Sequence, residues 1–304
     1  MKKTKVLVLF SGGLDSLLAI KILKEKDYEV EAVHFQNPFS SLKPETIKEI
    51  SDQVLFELHL IKLGNDYLRI IEEPKHGYGK RMNPCLDCRI FSLKKAWQLA
   101  NKLGADFLGT GEVLGQRPFS QRQQAMDLIE KEAGLKNKIL RPLIDLGIRG
   151  RSRKKQLALA QKDGLTKFSS PAGGCLLTDP AFAKKIKDFL ENEGKLSLPM
   201  VELLKLGRHF RKEKTKIIIG RNKEENERLE KLAQEQGWWF GEVVGIPSPT
   251  GVVFQEKHLS AASRLVTYYS DAEKGEKVVC NWKKGKKEKK INILAPKKTS
   301  QEPL

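Results

Sequence analysis

The chain has 304 residues, of which 31% are charged and 39% apolar, a composition typical of a globular protein with one or two domains. No apolar stretch approaches the roughly 20 residues that a membrane span requires. The segment Met1–Lys3 leads into a strand rather than a signal peptide, so a cytoplasmic protein with no membrane partner is expected. The net charge of +18 favours a polyanionic partner, and four cysteines are too few for a disulfide scaffold.

Strands and helices alternate along the first half of the chain. The apolar run Lys5–Phe10 predicts a strand, and the following residues predict a helix from Leu14 to about Lys26. Further strands are predicted at Glu29–Phe35, Phe56–Lys62, Asp106–Gly109 and Lys138–Leu140. This alternation predicts an α/β domain with a parallel sheet covered by helices on both faces. Ligands of such sheets bind at the carboxyl ends of the strands.

The loop between the first strand and the first helix has the sequence Ser-Gly-Gly-Leu-Asp-Ser. Its glycines allow the backbone to approach an anion, and the free N–H groups of the helix N-terminus point at that anion. The loop resembles the PP-loop of the ATP pyrophosphatases, which predicts ATP binding. Asp15 would be repelled by phosphate, which favours a role through Mg²⁺ or in orienting the loop, the alternative being a first-turn acid that the helix dipole stabilises. The residues expected to contact the phosphates are Ser11, Gly12, Gly13 and Ser16.

The pattern changes near Asp179. Helices are predicted around Phe182–Leu190 and Asn222–Gln236, and strands at Lys214–Gly220 and Trp238–Phe240. We therefore expect a catalytic domain over residues 1–178, a smaller basic α+β domain over 179–296 and a disordered tail over 297–304.

Basic and aromatic residues indicate where RNA could bind. A basic run covers Arg149–Lys155, and lysines are dense from Lys283 to Lys298. Several such runs in a chain of this charge favour a nucleic acid over a merely solvated surface. The aromatic residues of Trp238–Phe240 could stack on bases, although at least one of them is expected in the core.

Three of the four cysteines form a candidate sulfur or metal site. Cys85 and Cys88 form a C-x-x-C pair at the start of a predicted helix, and Cys175 follows two glycines. Three thiolates fit a [4Fe-4S] cluster with one iron open to an exogenous sulfide. Alternatively, Cys175 carries a persulfide that Cys85 or Cys88 resolves by forming a disulfide. A zinc site completed by His76, or a set of unconnected cysteines, is the third interpretation.

Motifs that follow the C-x-x-C pair indicate which group of PP-loop enzymes the chain resembles. The segment Gly109–Gln116, followed by Ser120-Gln121 and later by Arg141–Leu143, resembles the catalytic domain of the tRNA 4-thiouridine synthases. The three-cysteine arrangement resembles that of the iron–sulfur tRNA thiolases, including members that make 2-thiouridine. These resemblances cover roughly residues 4–178, and the segment Ile217–Phe240 resembles the RNA-binding domain of NFACT proteins.

The chain departs from both thiolase patterns. Three residues rather than two separate Gln116 from Ser120. The 4-thiouridine synthases usually carry an RNA-binding domain before the PP-loop, whereas this loop begins at residue 11. The histidine-containing motif of the 2-thiouridine synthases is absent around Thr110-Gly111. The modified position of the base is therefore left open.

The resemblance implies a Rossmann-like fold of the adenine nucleotide alpha hydrolase type. It also implies that ATP adenylylates a uridine carbonyl oxygen of tRNA, that sulfur replaces this oxygen, and that AMP and pyrophosphate are released. Asp15, Cys88 and Cys175 would be the catalytic residues. The residues expected around the nucleotide, besides the loop, are His34, Phe35, Gly111, Glu112, Gln116 and Arg141.

The expected partners are a tRNA and a sulfur donor, which is sulfide or a protein that carries a persulfide. Monomer and homodimer are both left open. Two other functions compete with tRNA thiolation. One is a PP-loop enzyme that thiolates or amidates a small molecule, and the other is a non-catalytic RNA-binding protein with a degenerate loop.

Overall fold

A five-stranded parallel sheet is at the centre of the first unit of the computed structural model, which describes residues 3–169 and 174–296. The strands, in chain order, are β1 (Lys5–Leu9), β2 (Glu29–Gln36), β3 (Glu57–Lys62), β4 (Phe107–Thr110) and β5 (Ile139–Leu140). Their order across the sheet is β3-β2-β1-β4-β5, and every pair is parallel. The predicted α/β class is confirmed, and each predicted strand end lies within one residue of the observed end.

Helices cover both faces of this sheet. They are α1 (Leu14–Glu25), α2 (Pro44–Ser51), α3 (Asn65–Glu72), α4 (Cys85–Leu103), α5 (Gln123–Ala133), α6 (Pro142–Asp145) and α7 (Lys154–Lys162). One apolar cluster joins α1, α2, α6 and α7 to the sheet through residues such as Leu17 and Ile47. A second cluster joins α4 and α5 to the opposite face through Leu93 and Ile129. A 3-10 turn at Leu176–Thr178 follows the third cysteine.

The chain divides after Asp179, and the second unit contains an antiparallel sheet. Its strands are β6 (Arg208–Lys212), β7 (Thr215–Ile219), β8 (Trp239–Val243), β9 (Gly251–Val253), β10 (Lys277–Lys284) and β11 (Lys287–Leu294). Their order across the sheet is β11-β10-β8-β9-β7-β6. The helices are α8 (Pro180–Asn192), α9 (Leu198–Lys205), α10 (Lys223–Gln236) and α11 (Leu259–Tyr268).

Aromatic side chains form much of the core of the second unit. Trp239 and Trp282 are almost fully buried, and Phe240 is buried on the other face of the sheet. Trp238 is partly exposed and packs against Phe254, with 5.3 Å between the ring centroids. The expectation that part of the Trp238–Phe240 segment is core is therefore correct, and Trp238 remains the candidate for base stacking.

The predicted tail over residues 297–304 and the residues Ser170–Gly173 before the third cysteine lie outside the described residues. Within the described ranges, no helix is both long enough and apolar enough to cross a lipid bilayer.

Candidate active site

The loop after β1 is organised by its two serines. The Ser16 hydroxyl donates to the Gly13 carbonyl oxygen at 2.8 Å and accepts from the Ser11 N–H at 3.2 Å. The Ser11 hydroxyl accepts from the Gly13 N–H at 3.3 Å. Gly12 has a φ of +75°, a left-handed conformation that favours glycine. Because no side chain caps α1 at Gly13, the N–H groups of its first turn are available to an anion.

Two further segments pack against this loop. Gly111, directly after β4, approaches α1 so closely that an added Cβ would lie 2.5 Å from the Asp15 carbonyl oxygen and from the Ser16 nitrogen. Ser169 pairs with Gly13 in a parallel bridge, and the Ser169 N–H donates to the Gly12 carbonyl oxygen at 2.8 Å. The structure thus brings the loop, the segment after β4 and Ser169 together at the carboxyl edge of the sheet.

Asp15 is held in one orientation by a neighbouring loop. The Gln116 side-chain amide donates to its Oδ2 at 3.0 Å. Its Oδ1 is buried and has no hydrogen-bond partner among the described residues. An oriented carboxylate with one open oxygen suits a hard cation such as Mg²⁺, which prefers oxygen ligands.

Glu112 lies buried between two arginines. Arg89 donates to its Oε1 at 2.9 Å and Arg141 donates to its Oε2 at 3.0 Å. Burial alone would raise the pKa of Glu112, but the two guanidinium groups overcome this effect and lower the pKa. Arg141 also donates to Glu130 at 2.8 Å. The two residues expected at the nucleotide therefore bind each other, and their direct contact with magnesium or phosphate stays a prediction.

The buried carboxylate predicts a pH-dependent contribution to stability. We expect Glu112→Gln to lower the free energy of unfolding by about 2 to 3 kcal/mol at neutral pH, because the arginines lose their counter-charge. The pKa of Glu112 is lower in the folded state than its ordinary value near 4.3. The difference between the two proteins is therefore complete above about pH 5 and shrinks as the pH falls through the folded pKa.

Urea unfolding of both proteins at several pH values measures this difference. The control is Glu49→Gln, which removes an exposed carboxylate of α2 that has no ion pair among the described residues. An equal loss of stability at neutral and at acid pH in Glu112→Gln would contradict the ion-pair account.

His34 and Phe35 lie near the carboxyl end of β2. The Nδ1 atom of His34 is 2.9 Å from the Phe10 carbonyl oxygen. Burial lowers the pKa of His34, so the imidazole is neutral at pH 7 and its Nδ1–H donates this bond. Phe35 is partly buried against the apolar cluster of α4 and α5. Their contact with adenine stays a prediction.

The predicted cysteine set comes together beside the end of β2. Cys85 and Cys88 lie in the first turn of α4. Ser40, which follows β2, pairs with Cys175 in an antiparallel bridge. All three thiols contribute to raising the pKa of the Tyr67 hydroxyl, whose burial is the main cause. The cysteines are therefore neighbours in space, although Cys88 and Cys175 are 87 positions apart in the sequence.

Side chains that the sequence analysis missed form hydrogen bonds with these sulfurs. The Asn83 amide donates to the Cys85 sulfur at 3.0 Å. The Tyr67 hydroxyl lies 3.1 Å from the Cys88 sulfur, and Ser92 also hydrogen-bonds this sulfur. Asn83 could have been suspected from its position two residues before the C-x-x-C pair. Nothing in the local pattern points to Tyr67, which comes from α3.

The donor set does not resemble a structural zinc site. In the part of the chain that the structure describes, the three cysteine sulfurs do not all lie within 4.8 Å of one another, as the ligands of one zinc ion would. His76, the expected fourth zinc ligand, has its Nε2 3.3 Å from a carboxylate oxygen of Glu132. Burial raises the pKa of Cys88 and raises that of Cys175 to about 11. Without a bound metal, the Cys88 and Cys175 thiols are therefore protonated at pH 7.

Two family models match the chain. The model described as "Thiamine biosynthesis protein (ThiI)" matches residues 1–198, and the model described as "NFACT protein RNA binding domain" matches residues 207–302. The first covers most of the chain and includes the PP-loop and all three cysteines of the site.

Curated relatives match part of the chain. A protein named tRNA-specific 2-thiouridylase MnmA from Sulfurimonas denitrificans is 29% identical over 63% of this chain and 63% of its own length. A protein named probable tRNA sulfurtransferase from Thermoanaerobacter sp. is 29% identical over 63% of this chain and 50% of its own length. The chain thus spans less than two thirds of these relatives. A solved 4-thiouridine synthetase–RNA complex with bound ATP is 21% identical over 66% of this chain and 52% of that chain, with a TM-score of 0.44.

Proposed function

The chain belongs to the family of the thiamine biosynthesis protein ThiI, and we propose that it is an ATP-dependent tRNA sulfurtransferase of the cytoplasm. The enzyme adenylylates a uridine carbonyl oxygen, replaces this oxygen with sulfur, and releases AMP and pyrophosphate. The product is 4-thiouridine or 2-thiouridine. The observation that carries this proposal is the convergence of an open helix N-terminus and three cysteines at one edge of the parallel sheet.

The PP-loop supplies the activation half of this reaction. Free N–H groups at the start of α1 and the hydroxyl of Ser11 would hold the phosphates of ATP. The open Oδ1 of Asp15 would hold Mg²⁺, which offsets the charge of the phosphates. Gln116 fixes the carboxylate orientation that this requires. Adenylylation converts the uridine oxygen into part of a good leaving group.

The cysteines supply the sulfur half. We propose that Cys85, Cys88 and Cys175 hold a [4Fe-4S] cluster, which would present sulfide to the activated carbon from its open iron. Two observations favour the cluster over a free persulfide. Burial raises the pKa of the Cys88 and Cys175 thiols, so both are protonated and poor nucleophiles at pH 7 without metal, whereas iron binding deprotonates a thiol. Hydrogen bonds to the sulfurs of Cys85 and Cys88 are also suited to metal-bound thiolates.

The second unit supplies an RNA-binding surface. Its β10–β11 hairpin carries lysines on both strands and in the turn, and the matching model is that of an RNA-binding domain. Among the described residues, Lys283, Lys286 and Lys287 are exposed and form no ion pair with a carboxylate. Uncompensated lysines at the tip of a hairpin are suited to phosphate contacts.

A triple glutamine variant at Lys283, Lys286 and Lys287 tests this surface. Each lost phosphate contact lowers the slope of log K against log salt by about 0.7 to 0.9, so we expect the slope for tRNA binding to fall by about 2 to 3. The measurement is fluorescence anisotropy with labelled tRNA at several salt concentrations. The control variant replaces Lys195, Lys223 and Lys231, which are also exposed, and should change the slope little. Equal slopes in both variants would exclude the hairpin tip as a surface that contacts tRNA phosphates.

Nucleoside mass spectrometry of tRNA tests the function as a whole. Bulk tRNA from cells with and without the gene is digested to nucleosides and compared. The proposal predicts that a 4-thiouridine or a 2-thiouridine peak disappears with the gene and returns with a plasmid copy. Unchanged thiouridine levels would contradict it and would favour the thiolation of a small molecule.

A further inference from the structure

Arg149 is anchored beside the loop that orients Asp15. It pairs with Leu114 in a parallel bridge, and the N–H of Gly150 donates to the Leu114 carbonyl oxygen at 2.7 Å. Gln116, two residues after Leu114, donates to the Asp15 carboxylate in the PP-loop. Backbone hydrogen bonds therefore place the start of the basic run that begins at Arg149 next to the PP-loop.

A second basic segment is anchored beside the cysteines. It contains Lys80 and Arg81 and shortly precedes the C-x-x-C pair. The Gly79 N–H donates to the Asn83 carbonyl oxygen at 2.9 Å, and the Arg81 N–H donates to the Asn83 side-chain oxygen at 3.1 Å. The nitrogen of the same side chain donates to the Cys85 sulfur at 3.0 Å. Asn83 thus shapes this basic turn and holds it next to the sulfur site.

The protein provides no counter-charge for the cations of these two segments. Four exposed residues, which we call the flanking cations, form no ion pair with any carboxylate in the described ranges of the chain: Lys80, Arg81, Arg149 and Arg151. By contrast, both arginines inside the site are paired with carboxylates. Exposed, uncompensated cations attract anions, and arginine binds phosphate in a bidentate geometry. The flanking cations are therefore suited to phosphates that approach the site from outside.

The proposed reaction brings such phosphates to the site. An enzyme that acts on a base takes that base out of its stack, so the phosphates on both sides of the target nucleotide lie at the entrance of the site. We propose that the flanking cations hold these phosphates of the tRNA, with Arg149 and Arg151 acting beside the PP-loop and Lys80 and Arg81 acting beside the cysteines. This inference rests on the proposed function, which supplies the tRNA.

Binding of labelled tRNA to the full-length chain at several salt concentrations tests each pair of cations. One double variant combines Arg149→Gln with Arg151→Gln, and the other combines Lys80→Gln with Arg81→Gln. Each should lower the slope of log K against log salt by about 1.4 to 1.8, because two phosphate contacts are lost. An unchanged slope in either double variant would overturn the proposal, and an acidic sulfur-carrying protein would then be the better partner for this surface.

Two comparisons separate RNA binding from other effects of the lost charge. The control variant combines Lys102→Gln with Lys162→Gln, which removes two exposed lysines from the last turns of α4 and α7 and should change the slope little. Titration of ATP into the double variant at Arg149 and Arg151 should give the affinity of the unmodified chain, because the start of α1 holds the phosphates of ATP. A parallel loss of ATP binding would mean that these arginines bind the nucleotide and would overturn the proposal.

Photocrosslinking tests whether the contacts lie at the modified nucleotide. The photoreactive residue p-benzoylphenylalanine replaces Ser152, which is exposed and adjacent to Arg151, and the crosslinked nucleotide is mapped by primer extension on the tRNA. The crosslink should lie at the nucleotides next to the thiolated uridine, and a crosslink only in a distant helix of the tRNA would overturn the proposal. The salt slopes require no turnover. The predicted slopes without thiouridine formation would therefore refute the proposed function alone, whereas thiouridine formation with unchanged slopes would refute only the role of the flanking cations.

Discussion

Replacing Cys175 with alanine is expected to abolish thiouridine formation, with a rate loss of at least about 10³-fold, while ATP binding is retained. The expectation is the same whether sulfur is carried by a [4Fe-4S] cluster or by a persulfide on Cys175. Loss of a cluster ligand removes the sulfide carrier, and loss of a persulfide cysteine removes the sulfur itself. ATP binding survives because hydrogen bonds of Ser11, Ser16 and Gln116 organise the PP-loop. The Cys175 side chain takes part in none of these hydrogen bonds.

The matched control is Cys280→Ala, the same substitution at the fourth cysteine. Cys280 is fully buried in β10, and its sulfur lies 3.4 Å from the Thr267 hydroxyl. We expect this variant to lose some stability and to keep thiolation. The measurement is incorporation of labelled sulfur into tRNA, together with equilibrium binding of ATP to each variant. If the Cys175→Ala protein thiolates tRNA at close to the normal rate, the cysteine set does not carry the sulfur, which contradicts both mechanisms.

Substitution of Gly111 by alanine is expected to weaken ATP binding about 100-fold. A Cβ at this position would lie 2.5 Å from the Asp15 carbonyl oxygen and from the Ser16 nitrogen, and both of these are backbone atoms. A backbone cannot rotate aside as a side chain can, so the start of α1 must shift. A displacement of about 1 Å in a positioned site costs on the order of 10² in function.

Isothermal titration of ATP into Gly111→Ala measures this effect. Gly64→Ala is the control, because its Cβ would have as its nearest neighbour a side-chain oxygen of Asp66 at 3.6 Å, an ordinary contact. The control should bind ATP normally. Normal ATP binding by Gly111→Ala would mean that the nucleotide does not use the N-terminus of α1.

The local sequence is sufficient to predict the parallel sheet and its phosphate-binding loop. Short apolar runs such as Val6–Leu9, followed by glycines, favour buried strands, and these glycines permit the turn into α1. The C-x-x-C pair is also recognisable in the sequence, because both cysteines lie in one helical turn. Its proximity to Cys175 follows from the chain passing beside the end of β2, and the motif resemblance anticipated it.

The remaining features depend on tertiary contacts that no local pattern encodes. From the sequence, Glu112 is expected to be a loop carboxylate that can bind magnesium or substrate. In the structure, Arg89 from α4 and Arg141 after β5 each donate a hydrogen bond to one of its two oxygens. Tyr67 reaches Cys88 only because α3 packs beside α4. The sequence shows that lysines are dense from Lys283 onward but does not show how they are arranged. The pairing of β10 with β11 places several of them at one hairpin tip.

The most direct test of the account is the stoichiometry of the reaction of the purified chain. The chain, reconstituted with iron and sulfide under anaerobic conditions, is supplied with ATP, Mg²⁺, sulfide and unmodified tRNA, and both AMP and thiouridine are counted. The account predicts about one AMP for each thiouridine formed, and neither product when Cys175→Ala and Gly111→Ala are combined. ATP-independent thiouridine formation, or steady AMP release with no thiouridine in the tRNA, would contradict it.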